Sequence, residues 1–102
     1  GENVPSIKVE RVILADPRVA ACAVVGLPHA RWIEAVTAFV VPQPGSGLRP
    51  EDVIALCREK LGRFEVPKRV VFVEDLPRTS TGKVQKHVLR DRYRELYRDE
   101  TD

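Results

Sequence analysis

Val19-Ala-Ala-Cys-Ala-Val-Val-Gly26 is a continuous run of small and apolar residues that Pro28 closes. A second run, residues 35–41, is rich in β-branched side chains and also ends at a proline. Short apolar runs bounded by glycine and proline are typical of strands with at least one buried face. The two runs therefore predict two strands, joined by a connection over residues 27–34 that carries Trp32.

The segments on either side of these runs have helical periodicity. Apolar residues recur near helical spacing over residues 7–13, with Ser6 in position to cap the helix and Pro17 beyond its end. Residues 50–61 begin with a proline and two acidic residues, which suit the first turn of a helix, and Gly62 follows the last turn. Two helices are predicted here.

The last part of the chain predicts one more strand and one more helix. Residues 70–73 form a short apolar run, and residues 84–97 have an amphipathic pattern with arginines opposite the apolar face. The resulting order predicts an α+β fold, a small three-stranded sheet with helices packed against it. A length of 102 residues fits a single domain, residues 1–102.

Composition narrows the class of protein. Hydrophobic residues make up 43% and charged residues 31% of the chain, which indicates a folded, soluble domain. No apolar run approaches the roughly 20 residues of a membrane span, and residues 1–10 do not resemble a signal peptide, so a cytoplasmic location is expected. Cys22 and Cys57 lie in apolar stretches and are predicted to be reduced thiols in the core.

Most of the net charge of +2 lies in the last third of the chain. This part can be a solvated helix face or a site for phosphate groups, and a stand-alone module that binds nucleic acid is the alternative from another class. The basic residues concerned are Arg78, Lys83, Lys86, Arg90, Arg92, Arg94 and Arg98.

The segment Leu76-Pro-Arg-Thr-Ser-Thr-Gly-Lys83 has no apolar residue after Pro77 and cannot belong to the core. Hydroxyl groups, a glycine and a lysine predict a mobile loop, rich in donors, that closes over a phosphate or a carboxylate. It is not a phosphate-binding P-loop, because the earlier glycine of that motif is missing.

Five blocks of sequence together are more specific than this loop alone. In chain order they are Gly1-Glu-Asn-Val-Pro-Ser-Ile-Lys-Val-Glu10, Val24-Val-Gly-Leu-Pro-His29, Trp32-Ile-Glu34, Phe64-Glu-Val-Pro-Lys68 and Pro77-Arg-Thr-Ser-Thr-Gly-Lys-Val-Gln-Lys86. This ordered set resembles the C-terminal domain of the acyl-adenylate-forming superfamily, and it is most similar to acyl-CoA synthetases.

The resemblance implies the C-terminal lid domain of an AMP-forming carboxylate–CoA ligase, with the N-terminal catalytic domain absent from this chain. A carboxylic acid and ATP with Mg²⁺ would give acyl-AMP, and the acyl group would then pass to the thiol of CoA. Lys83 would be the adenylation lysine, reaching into the partner N-terminal adenylating domain of the same polypeptide. The isolated chain is expected to be inactive.

The resemblance also implies a second set of residues that act after the lid rotates. Gly1, Glu2 and Asn3 match a loop that then lines the active site. Trp32 and Phe64 match aromatic positions that pack near CoA in some ligases, although an aromatic residue on a connection can equally be part of the core.

Three further residues near Lys83 are expected to contact the nucleotide. They are Thr81, Gly82 and Lys86, of which Lys86 can steer phosphates or simply contribute to solubility. The chain departs from the family at Ile33, where glycine is frequent, and at Val66, where some CoA ligases carry arginine.

The remaining polar residues predict no metal site. His29 is expected to be a solvated loop residue, and His87 has no metal-ligand companion at helical spacing. Glu74 and Asp75 are adjacent and so point in different directions, unlike a pair of catalytic carboxylates.

The acceptor of the acyl group has two candidates. The ending Gly-Lys-Val-Gln-Lys86 looks more like fatty- or aryl-acyl-CoA ligases, and the lid of a non-ribosomal peptide synthetase adenylation domain is the alternative. Lys83 is also a candidate target of a lysine acetyltransferase, since acetylation would remove its charge.

Overall fold

The computed structural model describes residues 4–98, and these form three helices and three strands. The predicted α+β class is confirmed. In chain order the elements are α1 (Ser6–Leu14), β1 (Val19–His29), β2 (Ile33–Pro42), α2 (Pro50–Lys60), β3 (Arg69–Phe72) and α3 (Lys86–Tyr93).

Strand β2 lies in the middle of the sheet, between β1 and β3. Strands β1 and β2 form an antiparallel hairpin in which Val24 lies opposite Ala38. Strand β3 pairs with β2 in parallel, with Val71 opposite Phe39. A parallel pair needs a long crossover connection, and helix α2 lies within it.

Both faces of the sheet are covered, which explains why β1 and β2 read as continuous apolar runs rather than as alternating ones. On one face, Val24 belongs to a buried cluster with Val9 of α1 and Val53 of α2. On the other face, Phe39 belongs to a second buried cluster with Leu89 of α3. The sheet therefore has a buried core on each side.

The hairpin of β1 and β2 extends further than the sequence predicted. β1 continues through Gly26 and Pro28 to His29, and β2 begins at Ile33. Proline is tolerated in β1 because this is an edge strand of the sheet. Glycine at position 26 leaves room for the Glu34 carboxylate, since a Cβ atom there would lie 2.7 Å from Glu34 Oε1 and would displace the end of that side chain. Residues taken as strand breakers thus lie inside a strand.

Helix α1 ends at Leu14, before Pro17, as predicted. Its start differs from the prediction: Pro5 occupies the N-cap position, and its carbonyl oxygen accepts the first helical hydrogen bond from the Val9 N–H group. Ser6 is the first helical residue and is therefore not the cap.

Helix α3 is shorter than the predicted residues 84–97, because it ends at Tyr93 and turns follow. The chain after the helix still packs on the sheet. Tyr97 is buried, and its hydroxyl group lies 2.8 Å from Thr37 Oγ1. This contact fixes the last turn against β2.

Both cysteines are free thiols that belong to the core or its margin, as predicted. Cys57 is buried on α2, and burial raises the pKa of its thiol to about 11. Burial likewise raises the pKa of the Cys22 thiol to about 12. Both side chains therefore remain protonated near neutral pH.

Candidate functional site

The segment that ends at Lys83, predicted to be a loop rich in donors, forms a hairpin whose two ends pair with each other. Arg78 and Val84 pair in an antiparallel bridge at its base. Inside the bridge, the Thr79 N–H group donates to the Lys83 carbonyl oxygen at 2.8 Å, and the Gly82 N–H group donates to the Thr79 carbonyl oxygen at 2.9 Å. The backbone beside Lys83 is thus set by its own hydrogen bonds.

Side chains of the same hairpin add to this bracing. The Arg78 guanidinium donates to the Gly82 carbonyl oxygen at 2.9 Å. Thr79 Oγ1 accepts a hydrogen bond from the Lys83 N–H group at 3.2 Å and lies 2.9 Å from Thr81 Oγ1. The Thr81 hydroxyl, predicted to contact the nucleotide, is therefore also engaged within the hairpin.

Lys83 itself is exposed, and within residues 4–98 its ammonium group makes no hydrogen bond or ion pair. Gly82 precedes it with a φ of +92°, which lies in the left-handed region that favours glycine. The arrangement presents a free cation on a flexible stem from a braced backbone.

Lys86 is placed differently from Lys83. Its ammonium group lies 2.9 Å from Glu10 Oε2, and the same oxygen accepts a hydrogen bond from the Val24 N–H group at 2.8 Å. Lys86 is the first residue of α3, so this pair joins α3 to α1 and β1. The structure thus gives Lys86 a carboxylate partner inside the domain.

A cavity of about 710 Å³ lies on another part of the surface, beside the β1–β2 turn. It brings together Trp32 and Phe64, the two aromatic residues predicted to pack near CoA, which are 50% and 86% exposed. Its lining residues are Trp32, Glu34, Val36, Arg58, Leu61, Arg63, Phe64, Val66 and Lys68. Neither aromatic side chain is part of the core.

Trp32 is held in place by two neighbours. The His29 ring stacks on it, with ring centroids 4.9 Å apart and planes 15° from parallel. Lys68 Nζ lies 4.6 Å from the centroid of the Trp32 ring, a cation–π contact. His29 is only 6% exposed, so the expectation of a solvated loop residue is wrong: the extended hairpin buries it against Trp32 and Tyr97.

Basic groups surround the cavity, and sequence analysis did not single them out as a set. Arg63 lies over the Phe64 ring at 5.4 Å, and Arg58 and Lys68 also line the cavity. Flat aromatic faces beside cations suit a ligand that has both a base and phosphate groups. Of these three cations, only Lys68 belongs to one of the five sequence blocks that resemble the family. The fold brings it together with Arg58 and Arg63.

Ile33 lies next to the cavity with a φ of +64° and is 80% exposed. A β-branched residue with this φ is strained. Ile33, at a position where glycine is frequent in the family, therefore has a conformational cost that glycine would not have. The Glu34 N–H group donates to the Trp32 carbonyl oxygen across it. The tight turn sets this backbone.

Gly1, Glu2 and Asn3 lie outside the described residues. Among residues 4–98, no group of three or more histidine, cysteine, aspartate or glutamate side chains could hold a metal ion, and His87 is exposed on α3. In the same part of the chain, no helix is both long enough and apolar enough to cross a membrane.

Comparison with known proteins gives close relatives. The chain is 47% identical over 91 residues to the peroxisomal trans-cinnamate:CoA ligase of Petunia hybrida, a match that covers 89% of this chain and 16% of that enzyme. ATP-bound MatB from Rhodopseudomonas palustris has a TM-score of 0.90 at 43% identity, over 95% of this chain and 19% of the other. The amide bond synthetase McbA from Marinactinospora thermotolerans has a TM-score of 0.82 at 43% identity, over 88% of this chain and 18% of the other.

The chain thus spans less than a fifth of the length of each of these relatives. Residues 8–83 match a single family model, which covers both the aromatic cavity and the hairpin up to Lys83. The family predicted by resemblance is thereby confirmed, and the chain belongs to the AMP-binding enzyme C-terminal domain family.

Proposed function

We propose that the chain is the C-terminal lid domain of an ATP-dependent carboxylate–CoA ligase, and that Lys83 acts in acyl-AMP formation. The observation that carries the proposal is the exposed, unpaired Lys83 ammonium on a braced hairpin. Relatives that are CoA ligases, such as the petunia enzyme, support the reaction type. The activity belongs to a protein longer than this chain.

In the first half-reaction, a carboxylate oxygen of the acid attacks the α-phosphorus of ATP, and the bond from that phosphorus to pyrophosphate breaks. Two anions must approach each other while negative charge redistributes. The Lys83 ammonium would lie between the carboxylate and the phosphate, hold them in line and offset their repulsion. The acid, the adenine and Mg²⁺ would be bound mainly by the N-terminal adenylating domain of the same polypeptide.

In the second half-reaction, the CoA thiol attacks the acyl carbon and AMP leaves. The lid would have turned by then, so that a different face meets the active site. The cavity between Trp32 and Phe64 supports a role as the site for the nucleotide part of CoA, because its rings suit the adenine and Lys68 suits a phosphate. Gly1, Glu2 and Asn3 would line the site at this stage.

The test uses the full-length ligase with Lys83→Ala. With acid and Mg-ATP, acyl-AMP formation should fall at least about 100-fold, because a positioned charge on a transition state typically contributes about 3–4 kcal/mol. With preformed acyl-AMP and CoA, thioester formation should persist. Lys60→Ala, which removes an exposed lysine at the end of α2, should change neither reaction.

Equal loss of both half-reactions in the Lys83 variant would show that this lysine is structural. A second measurement concerns the chain alone. Residues 1–102 should fold but form no acyl-AMP, because the groups that bind the adenine of ATP and the acid would lie in the N-terminal adenylating domain. Acyl-AMP formed by the chain alone would contradict the assignment as a lid.

The proposal also names CoA as the acceptor of the acyl group and the cytoplasm as the location of the protein. CoA is favoured by the basic, aromatic cavity, whereas a carrier protein would present only its phosphopantetheine arm and leave the nucleotide face unused. Direct competition in the second half-reaction between CoA and a carrier protein with a free phosphopantetheine thiol tests this choice. A cytoplasmic location is also proposed, and imaging of the full-length protein tests it against the peroxisome, where the petunia relative is found.

The alternative of a nucleic-acid-binding module has less support. Two of the arginines that follow α3 are paired with acidic residues. Arg94 lies 3.5 Å from Asp91, and Arg98 lies 3.2 Å from Glu95. A binder of nucleic acid should show an affinity that falls steeply with salt and needs no partner domain.

A further inference from the structure

The carboxylate of Glu10 joins three elements at the base of the Lys83 hairpin. Its Oε2 atom accepts a hydrogen bond from the Val24 N–H group of β1 at 2.8 Å and pairs with the Lys86 ammonium of α3 at 2.9 Å. The side chains of Glu10 and Lys86 are only 18% and 27% exposed. The pair is therefore well shielded from solvent compared with the Arg94–Asp91 and Arg98–Glu95 pairs at the end of α3 and just after it.

The Glu10–Lys86 pair is connected to Lys83 through a short stretch of backbone. Lys86 is the first residue of α3, three positions after Lys83, and Gln85 between them donates its N–H group to the Pro77 carbonyl oxygen at 2.8 Å. One strand of the hairpin therefore runs directly into the residue that Glu10 holds. Without the pair, the start of α3 would be fixed only by neutral backbone hydrogen bonds and packing.

We infer that Glu10 is a positioning residue for adenylation, which acts on Lys83 through Lys86. The inference rests on the proposed role of Lys83. A cation that must lie between two reacting anions has to be placed closely, since a displacement of about 1 Å can cost on the order of 100-fold in rate. Glu10 and Lys86 place the hairpin relative to the sheet, and the core behind the sheet makes that placement rigid.

This assignment also gives Lys86 a role other than steering phosphates. If Lys86 binds phosphate directly, removal of the competing Glu10 carboxylate should strengthen that binding or leave it unchanged. A lysine that anchors the hairpin would lose its function with that carboxylate. The two roles therefore predict opposite effects of changing Glu10.

The experiment measures acyl-AMP formation in the full-length ligase for Glu10→Gln, Lys86→Met and the double variant. The glutamine side chain retains an oxygen for the Val24 N–H group and removes only the charge. Each single change should lower kcat for adenylation about 10- to 100-fold with little change in KM for ATP. The double variant should resemble the single variants, because the residues act as a unit. Thioester formation from acyl-AMP should be unchanged.

A matched control comes from another ion pair that involves α1. Glu65 accepts a hydrogen bond from the Gly62 N–H group at 2.8 Å and pairs with Lys8 of α1 at 2.8 Å, so it has the same kind of contacts outside the hairpin. Glu65→Gln should leave adenylation unchanged. Lys86→Arg, which keeps the charge, should restore most of the activity that Lys86→Met loses.

A second readout does not depend on ligase activity. In Glu10→Gln, amide hydrogen exchange of the hairpin N–H groups of Thr79, Gly82 and Lys83 should become faster, while exchange in β2 stays the same. Faster exchange with normal adenylation would overturn the inference, as would a Glu10→Gln enzyme with full activity or a raised KM for ATP in Lys86→Met alone. Loss of protection throughout the domain would also overturn it, because Glu10 would then stabilise the fold in general. If Lys83→Ala retains adenylation while the exchange result holds, the proposed function fails and the anchoring by Glu10 stands.

Discussion

Arg78 donates a hydrogen bond from its guanidinium to the carbonyl oxygen of Gly82 at 2.9 Å, so the residue at the base of the hairpin holds the residue that precedes Lys83. This contact crosses the loop at the point where the backbone enters the left-handed region, with φ of +92° at Gly82. The conformation of the hairpin and the direction of the lysine are therefore coupled.

The first prediction concerns Gly82→Ala. No atom lies within 4 Å of a Cβ at this position, so the change acts through conformation alone, and alanine in the left-handed region costs about 1–2 kcal/mol. The loop should shift to relieve this strain, and acyl-AMP formation by the full-length ligase should fall about tenfold or more. Gly45 has the same features, with φ of +71° and open space around it.

Gly45→Ala is therefore the matched control for that experiment. It should lower the free energy of unfolding by a similar amount and leave acyl-AMP formation unchanged. Equal adenylation rates in the two variants would contradict the coupling of the hairpin backbone to Lys83. Rates come from pyrophosphate release, and stability comes from urea unfolding.

The second prediction concerns strain at Ile33, where φ is +64° and the side chain is largely exposed. Ile33→Gly removes the cost, about 1–2 kcal/mol, that a residue with a side chain has in the left-handed region. It also adds freedom to the unfolded chain, which offsets about 0.4–1 kcal/mol. The free energy of unfolding should therefore rise by up to about 1.6 kcal/mol. Ile33→Ala keeps the strain and should give no such gain, so destabilisation by glycine would contradict this account.

The third prediction concerns the CoA face. Trp32→Ala in the full-length ligase should raise KM for CoA about tenfold, in the range expected for loss of one stacked base, and leave acyl-AMP formation unchanged. Because the Trp32 side chain is half exposed, the variant should also remain folded. Ile7→Ala, which removes an exposed apolar side chain from α1, is the control. Unfolding of the Trp32 variant would show that this ring is part of the core.

The sequence predicted the sheet well because the core covers both of its faces. Short continuous apolar runs around Val24 and Phe39, bounded by glycine or proline, favour strands with buried faces, and β3 was predicted to within one residue. The ends of the hairpin were missed because Gly26 and Pro28 are read as breakers. Their tolerance depends on tertiary context, namely the Glu34 carboxylate above the glycine and the edge position of the strand.

The candidate site likewise contains residues that the sequence predicted and contacts that only the fold creates. Lys83 could be singled out because a motif carries it, and Trp32 and Phe64 because they match aromatic positions of the family. The burial of His29 against Trp32 depends on the course of the hairpin, which no local pattern encodes. The pairing of Glu10 with Lys86 joins residues 76 positions apart (86 − 10) in the sequence, and only the folded chain brings them together.

The last prediction is that acetylation of Lys83 by a lysine acetyltransferase switches off adenylation. Acetylation would remove the charge and block the proposed contact with both anions. The backbone bonds of the hairpin do not use the ε-amine, so the fold should be unaffected. Lys83 should be modified before Lys86, because the Lys86 amine is held by Glu10. Mass spectrometry of the full-length ligase after treatment with an acetyltransferase and acetyl-CoA gives the order of modification.

The two half-reactions of that modified enzyme decide the mechanism. Acyl-AMP formation should fall in proportion to the acetylated fraction of Lys83 and return after deacetylation, whereas thioester formation from acyl-AMP should stay constant. Lys83→Gln should match the acetylated enzyme, and Lys83→Arg should resist acetylation. Full adenylation by enzyme acetylated at Lys83 would contradict a role for its charge, because acetyl-lysine carries none. Loss of both half-reactions together would instead mean that the same lysine serves both orientations of the lid.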